Sequence, residues 1–154
     1  MANDAEFADV MNDWLKQVEK TANPDQVTRT AITGAGAAVF AEQLKQDTPR
    51  SNIDYSVGKS RQAGHAKKRK TKHLQDSITY TPGSIVGGVP TGDTDVGFEN
   101  HYFDFVARIT NDGRKKMSPK EQANQHFADR AMIKSQPVIA AAMAAAFKAK
   151  VGGA

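Results

Sequence analysis

Apolar residues recur at three- and four-residue steps at both ends of the chain and at two-residue steps in a short middle stretch. The first helical stripe is Phe7, Val10, Met11, Trp14, Leu15 and Val18, which falls on one face at 3.6 residues per turn. Asn3 followed by Glu6 offers a capping-box start. A second helix is expected from Asn23-Pro24, as cap and first-turn proline, through Val27, Ala31, Ala35, Ala38 and Val39 to Leu44, with Thr48-Pro49 as its stop. The run Gly34, Ala35, Gly36, Ala37, Ala38 gives it a face of small residues. Glycine inside a helix costs roughly 1 kcal/mol against alanine, so two of them point to the close approach of another backbone.

Ile78 and Tyr80 alternate with Ser77, Thr79 and Thr81, the period of a half-buried strand. Turn residues follow at Pro82-Gly83, Gly87-Gly88 and Pro90 to Gly92, and a second strand is expected over Thr94 to Phe98 with Val96 and Phe98 inward. Tyr102 to Ile109 fits either a strand or a short helix, closed by the turn Asn111-Asp112-Gly113. Ser118-Pro119-Lys120-Glu121 then supplies a cap, a first-turn proline and a capping-box acid. Behind it Phe127, Ala128, Ala131 and Met132 share a face, Pro137 breaks or kinks the run, and Val138, Ile139, Ala142, Met143, Ala146 and Phe147 resume it. The expected architecture is α+β: N-terminal and C-terminal helices packed on a small antiparallel β-sheet, with a long basic loop.

Length and composition fit this picture. The 154 residues are enough for one domain with a core of its own, and 39% apolar with 25% charged residues is a globular balance. Within this single domain, 1–47 holds the N-terminal helices, 48–73 an extended basic arm, 74–113 the small sheet and 118–150 the C-terminal helices. The acidic N-terminus lacks the pattern of a secretory signal, and the longest apolar run, Val138 to Phe147, stops near ten residues, short of a membrane span. The reading is a soluble, unprocessed protein.

Charge is distributed unevenly. Lys59, Arg61, Lys67, Lys68, Arg69, Lys70 and Lys72 fall between Lys59 and His73 with no acid among them, leaving 14 bases against 17 acids elsewhere. The net charge of +4 therefore belongs to one segment. Such a cluster gains affinity for phosphates by counterion release and equally suits an acidic protein surface. No aromatic residue is interleaved to stack on bases, and no recognition-helix motif accompanies it.

Signals for catalysis are weak. With no cysteine, the chain has no disulfide, thiolate zinc site or cysteine nucleophile. His65 and His73 sit in the cationic arm. Neither His101 nor His126 belongs to a paired-histidine zinc helix, and the serines lack a nucleophile elbow. Gly87-Gly88 is not followed by the Lys-Ser or Lys-Thr of a phosphate loop. No catalytic residue, cofactor or metal is assigned, and the chain is read as a non-enzyme.

The order of segments is more telling than any one motif. An alanine-rich helix ending at Thr48-Pro49 precedes Thr71-x-x-Leu74-x-x-Ser77-Ile78, Asp95-Val96-Gly97-Phe98 and an aromatic block of Tyr102, Phe103 and Phe105. Asn111-Asp112-Gly113, Met117 and His126-Phe127 with Ala131 complete the series. Over about residues 24 to 148 this resembles the neck or tail-completion family of long-tailed bacteriophages, the minor tail components where tail meets head. The chain departs from that pattern in several places: Lys72 replaces a glycine before the Leu-x-x-Ser motif and the basic arm is inserted ahead of it, Thr110 to Arg114 replaces a Glu-Phe-Gly-Thr-like turn, and His126-Phe127 replaces Pro-Phe.

The resemblance implies a structural virion protein forming a homo-oligomeric ring, a hexamer, made in the host cytoplasm. The ring would join a tail terminator or tail tube to the head-closure side of the connector, with passing genomic DNA as a further contact and no membrane. A tail terminator ring and a small nucleic-acid-binding protein are the alternatives. The expected ring contact comprises Leu74, Ser77, Ile78 and Val96 with Phe98, Tyr102, Phe103 and Phe105. The seven bases of the arm are the expected partner or nucleic-acid contact.

Overall fold

The computed structural model describes residues 2–52, 72–83 and 85–152. Among these residues five α-helices, a short 3-10 helix at Leu74–Ser77 ahead of the first strand, and two small antiparallel sheets follow in the order α1 (Ala2–Ala22), α2 (Gln26–Asp47), β1 (Ile78–Pro82), β2 (Ile85–Val86), β3 (Val89–Pro90), β4 (Thr94–Phe98), α3 (His101–Asp112), α4 (Pro119–Ala123) and α5 (Phe127–Val151). The α+β expectation holds. The arm positions Lys59, Arg61, Lys67, Lys68, Arg69 and Lys70 lie outside the described residues, as does His65.

Helices α2 and α5 form the main packing layer. Small residues on α2 let them meet: Gly36, Ala37, Ala41 and Leu44 are its buried positions. A Cβ added at Gly36 would lie 2.9 Å from Met143 Cγ and 3.2 Å from Ile139 Cγ2 of α5, so even a methyl group there obliges the Met143 side chain to shift. The expected small face is therefore real, but it is centred on residues 36 to 44, and Val27 is exposed. Asp25 caps the helix in place of Asn23, its side chain accepting from Thr28 N at 2.8 Å. Thr48 closes the other end through its backbone N–H on the Leu44 carbonyl at 2.9 Å.

Strands β1 and β4 pair antiparallel with Ile78 opposite Phe98 and Pro82 opposite Thr94, and lean on α2. Thr33 of α2 ties this end down, its hydroxyl 2.9 Å from both the Gly92 carbonyl and Thr94 Oγ1. One core cluster results: Ala41 and Leu44 from α2, Ile78 from β1, Ala107 from α3, Phe127 and Ala131 from α5. Phe127 is fully enclosed.

The ambiguous block after β4 is a helix. Asn100 caps α3 by accepting from the backbone N–H groups of Tyr102 and Phe103 at 3.0 and 3.2 Å, which favours helix over strand at this point. Gly113 ends α3 at φ 85, a backbone that suits glycine, with its N–H on the Ile109 carbonyl. The capping box at Ser118 and Glu121 forms as expected, but it starts only the short α4. His126 then takes a left-handed φ of 57 and lets the chain enter α5. Its own side chain gives no cap bond there. Asn111 of α3 serves instead: its Oδ1 accepts from Ala128 N at 3.1 Å and its carbonyl from His126 N at 3.0 Å.

Pro137 sits within α5 without breaking it. Its missing N–H deprives the Ile133 carbonyl of a helical partner, and both residues are exposed, so water reaches the gap. Met132 and Val138, expected inward, are exposed as well.

Between α2 and α5, Lys134 Nζ donates to Asp47 Oδ1 at 2.6 Å and Gln43 Nε2 to Asp47 Oδ2 at 3.1 Å. Burial opposes the charge on Asp47. The bonds from Lys134 and Gln43, with the fields of Lys134 and Arg130, outweigh it and hold the carboxyl below its ordinary value. A carboxyl lowered in the folded state adds stability above its unfolded pKa and loses it as pH falls through the folded one.

Phe127→Ala should lower unfolding free energy by about 3–5 kcal/mol in urea titrations, as expected for a fully buried aromatic. Lys134→Met should cost under about 1 kcal/mol near neutral pH, because the lysine is half exposed. That difference from the parent should disappear once acid protonates Asp47, as measured by thermal unfolding across the acid range.

Candidate functional site

Among the described residues no group of three or more potential metal ligands converges, and no helix is long and apolar enough to cross a membrane. The features that invite a partner are surfaces: a projecting helix, a groove and a hairpin tip.

Helix α1 begins at Ala2, one residue ahead of the expected Asn3 cap, whose side chain lies outside the described set, as do those of Phe7 and Val10. The rest of its stripe is exposed: Trp14 at 54%, and Met11, Leu15 and Val18 at 41–47%. Among the described residues the core cluster closes without it, and α1 makes no contact with the body comparable to that of α2 with α5. Its C-terminal end touches down where Lys16, Glu19 and Asn23 face Thr28 and Val151 across a shallow cleft. The periodicity identifies the helix correctly. Whether the stripe is covered depends on what else is present, which periodicity does not encode.

The groove lies at the opposite end of α2, where the chain leaves it at Pro49. It is open, has a volume of about 610 Å³, and is floored by Leu74, Tyr102, Val106 and Ile109. Four bases rim it: Arg50, Lys72, Arg114 and Lys120, against the single acid Glu121. Arg114 pairs with Glu121, and Lys72 pairs with Glu99 outside the groove. The Lys72 ammonium also stands 5.7 Å from the centroid of the Phe103 ring, which packs edge-on against Tyr102 at 5.4 Å. Arg50 donates to Gln75 Oε1 at 3.3 Å, and neither Arg50 nor Lys120 has a carboxylate partner among the described residues. The Glu121 carboxyl is held below its ordinary value by the backbone and hydroxyl bonds of Ser118, then by Arg114.

The expected ring residues separate into two groups. Ser77, Ile78 and Phe103 are at most 6% exposed and pack inside their own chain, so their surface is already covered. Ser77 is further tied by its hydroxyl to the Leu74 carbonyl at 2.7 Å. Leu74, Val96 and Phe98 are half-buried against the same core. Only Tyr102 and Phe105 stand on the surface, with Ile109 on the same face of α3. Of the basic set, Lys72 alone is within the described residues, and it belongs to the groove rim.

The hairpin tip lies in residues 82 to 92, where the sequence pattern marks turns alone. β2 and β3 pair Val86 with Val89 across Gly87-Gly88, both at positive φ, the backbone of a two-residue hairpin. The signal for it is the Ile-Val-Gly-Gly-Val-Pro run itself. Ile85, Val86 and Val89 are each about two-thirds exposed.

No protein-family model, curated protein or solved structure matches this chain. Its function is read from its own residues.

Trp14→Ala should change unfolding free energy by less than about 1 kcal/mol, far below the loss at Phe127, because an exposed side chain contributes little to its own fold. Denaturant titration of the dilute protein checks this, and a cost as large as that of a core aromatic would place the stripe inside.

Proposed function

We propose that this chain is a structural subunit of the head-to-tail junction of a long-tailed bacteriophage, acting in a ring of its own copies between the tail and the head connector. The observation that carries the reading is the uncovered apolar surface on a body whose core is already closed: the α1 stripe, the hairpin tip and the Tyr102, Phe105 and Ile109 face of α3. Large exposed apolar surface on an otherwise complete domain is surface for another chain. The order of short motifs from Thr48-Pro49 to Ala131 directs that general inference to the neck or tail-completion family.

The arrangement suits a passive joint. Two pairs of short strands leave edges that a neighbouring chain can extend, and contacts between unlike patches generate rings when the rotation closes. The basic segment around Lys67 to Lys70 is assigned to an acidic surface of an adjacent ring, a salt-dependent attraction.

Particles assembled in the absence of this chain should accumulate as separate filled heads and free tails under the electron microscope, and supplying the protein should restore joined, infectious particles. Normal joining without it would overturn the proposal.

A further inference from the structure

The projecting helix and the groove complement each other in both chemistry and position. Helix α1 carries an exposed apolar stripe, and its positions 2 to 13 hold four acids and no base: Asp4, Glu6, Asp9 and Asp13. Positions 6 and 13, two turns apart, border one edge of that stripe. The groove presents an apolar floor and four bases, two of which, Arg50 and Lys120, have no carboxylate within the described residues.

We propose that the acidic end of α1 docks in the basic-rimmed groove of a second copy of this chain. Within one chain the two surfaces stand apart. The described stripe residues Met11, Trp14 and Val18 do not line the groove of their own chain, and the root of α1 lies beside the start of α2 whereas the groove lies beside its end. The contact is therefore between unlike patches, so each subunit gives one helix and receives another, and the chain of contacts closes into a ring or extends as a filament. Trp14, Met11 and Val18 supply the apolar part, and Tyr102, Val106 and Ile109 receive it. An α1 to α1 pairing is less well matched, because residues 14 to 22 offer only Lys16 and Lys20, offset by Glu19, to the four acids. This inference rests on the self-association in the functional proposal and names its contact, but it does not require the virion assignment.

Three forms of the full chain test it. Glu6→Lys with Asp13→Lys reverses the helix, Arg50→Glu with Lys120→Glu reverses the groove, and the parent is the reference. Circular dichroism confirms that each is folded. The mass of the parent by light scattering should rise with concentration, and its single tryptophan, Trp14, should shift its emission to shorter wavelength over the same range. Each reversed variant alone should weaken association about tenfold or more, since like charges then face one another. Mixing the two should restore assembly, because in alternation every acidic patch again meets a basic one.

Loss of association in the helix variant but not in the groove variant would identify α1 to α1 pairing and overturn the docking while leaving a ring possible. Association that ignores both reversals places the contact elsewhere and overturns the docking in the same way. A parent that stays monomeric, with Trp14 unshifted, at concentrations well above those of other self-assembling subunits also overturns it, whereas the junction role is decided separately by the particles made without the chain.

Discussion

The close crossing of α2 on α5 is the constraint from which the rest of the molecule follows. Gly36, Ala37 and Ala41 bring the two backbones together over Ile139 and Met143, and Asp47 and Lys134 fasten the far end of the same layer. With α5 held there, Phe127 is driven under α3 and β1, and Asn111 is in place to satisfy the start of α5. With α2 held there, Thr33 reaches the loop before β4 and sets the sheet on the helix. Core and sheet are thus organised by two long helices, and nothing in that set of contacts involves α1.

Much of this is legible in the sequence. The helices at both ends, both strands of the main sheet, the small-residue face and the Ser118 capping box are all set by local pattern and capping chemistry, which a sequence displays directly. The departures share a cause. Residues 102 to 109 carry apolar side chains that suit either period, and the decision is made by Asn100 and Gly113 at the two ends. Asp25 displaces Asn23 as a cap by a two-residue shift of register, and Pro137 is tolerated because its gap faces water. None of these is fixed by hydrophobic periodicity alone.

The candidate site is less legible for the same reason. Ser77, Ile78 and Phe103 group with Tyr102 and Phe105 as one contact on sequence grounds because all lie in one motif-bearing stretch. Folding separates them, burying the first three and displaying the last two. The groove has no sequence signal at all, since Arg50, Lys72, Arg114 and Lys120 come from segments far apart in the chain. The stripe of α1 is plain in the sequence, and its length already suggests more apolar surface than one small core requires, but an amphipathic stripe looks alike whether it faces its own body or a neighbour's.

The proline in α5 has a mechanical implication. A helix interrupted at one backbone hydrogen bond resists bending least at that point, and here the interruption separates the half that holds Phe127 and Ala131 from the half that ends at Val151, beside the foot of α1. Ile139 and Met143, just beyond that point, are the residues packed against Gly36, so the contact with α2 splints the helix across its weakest bond and gives the end beside α1 a fixed direction.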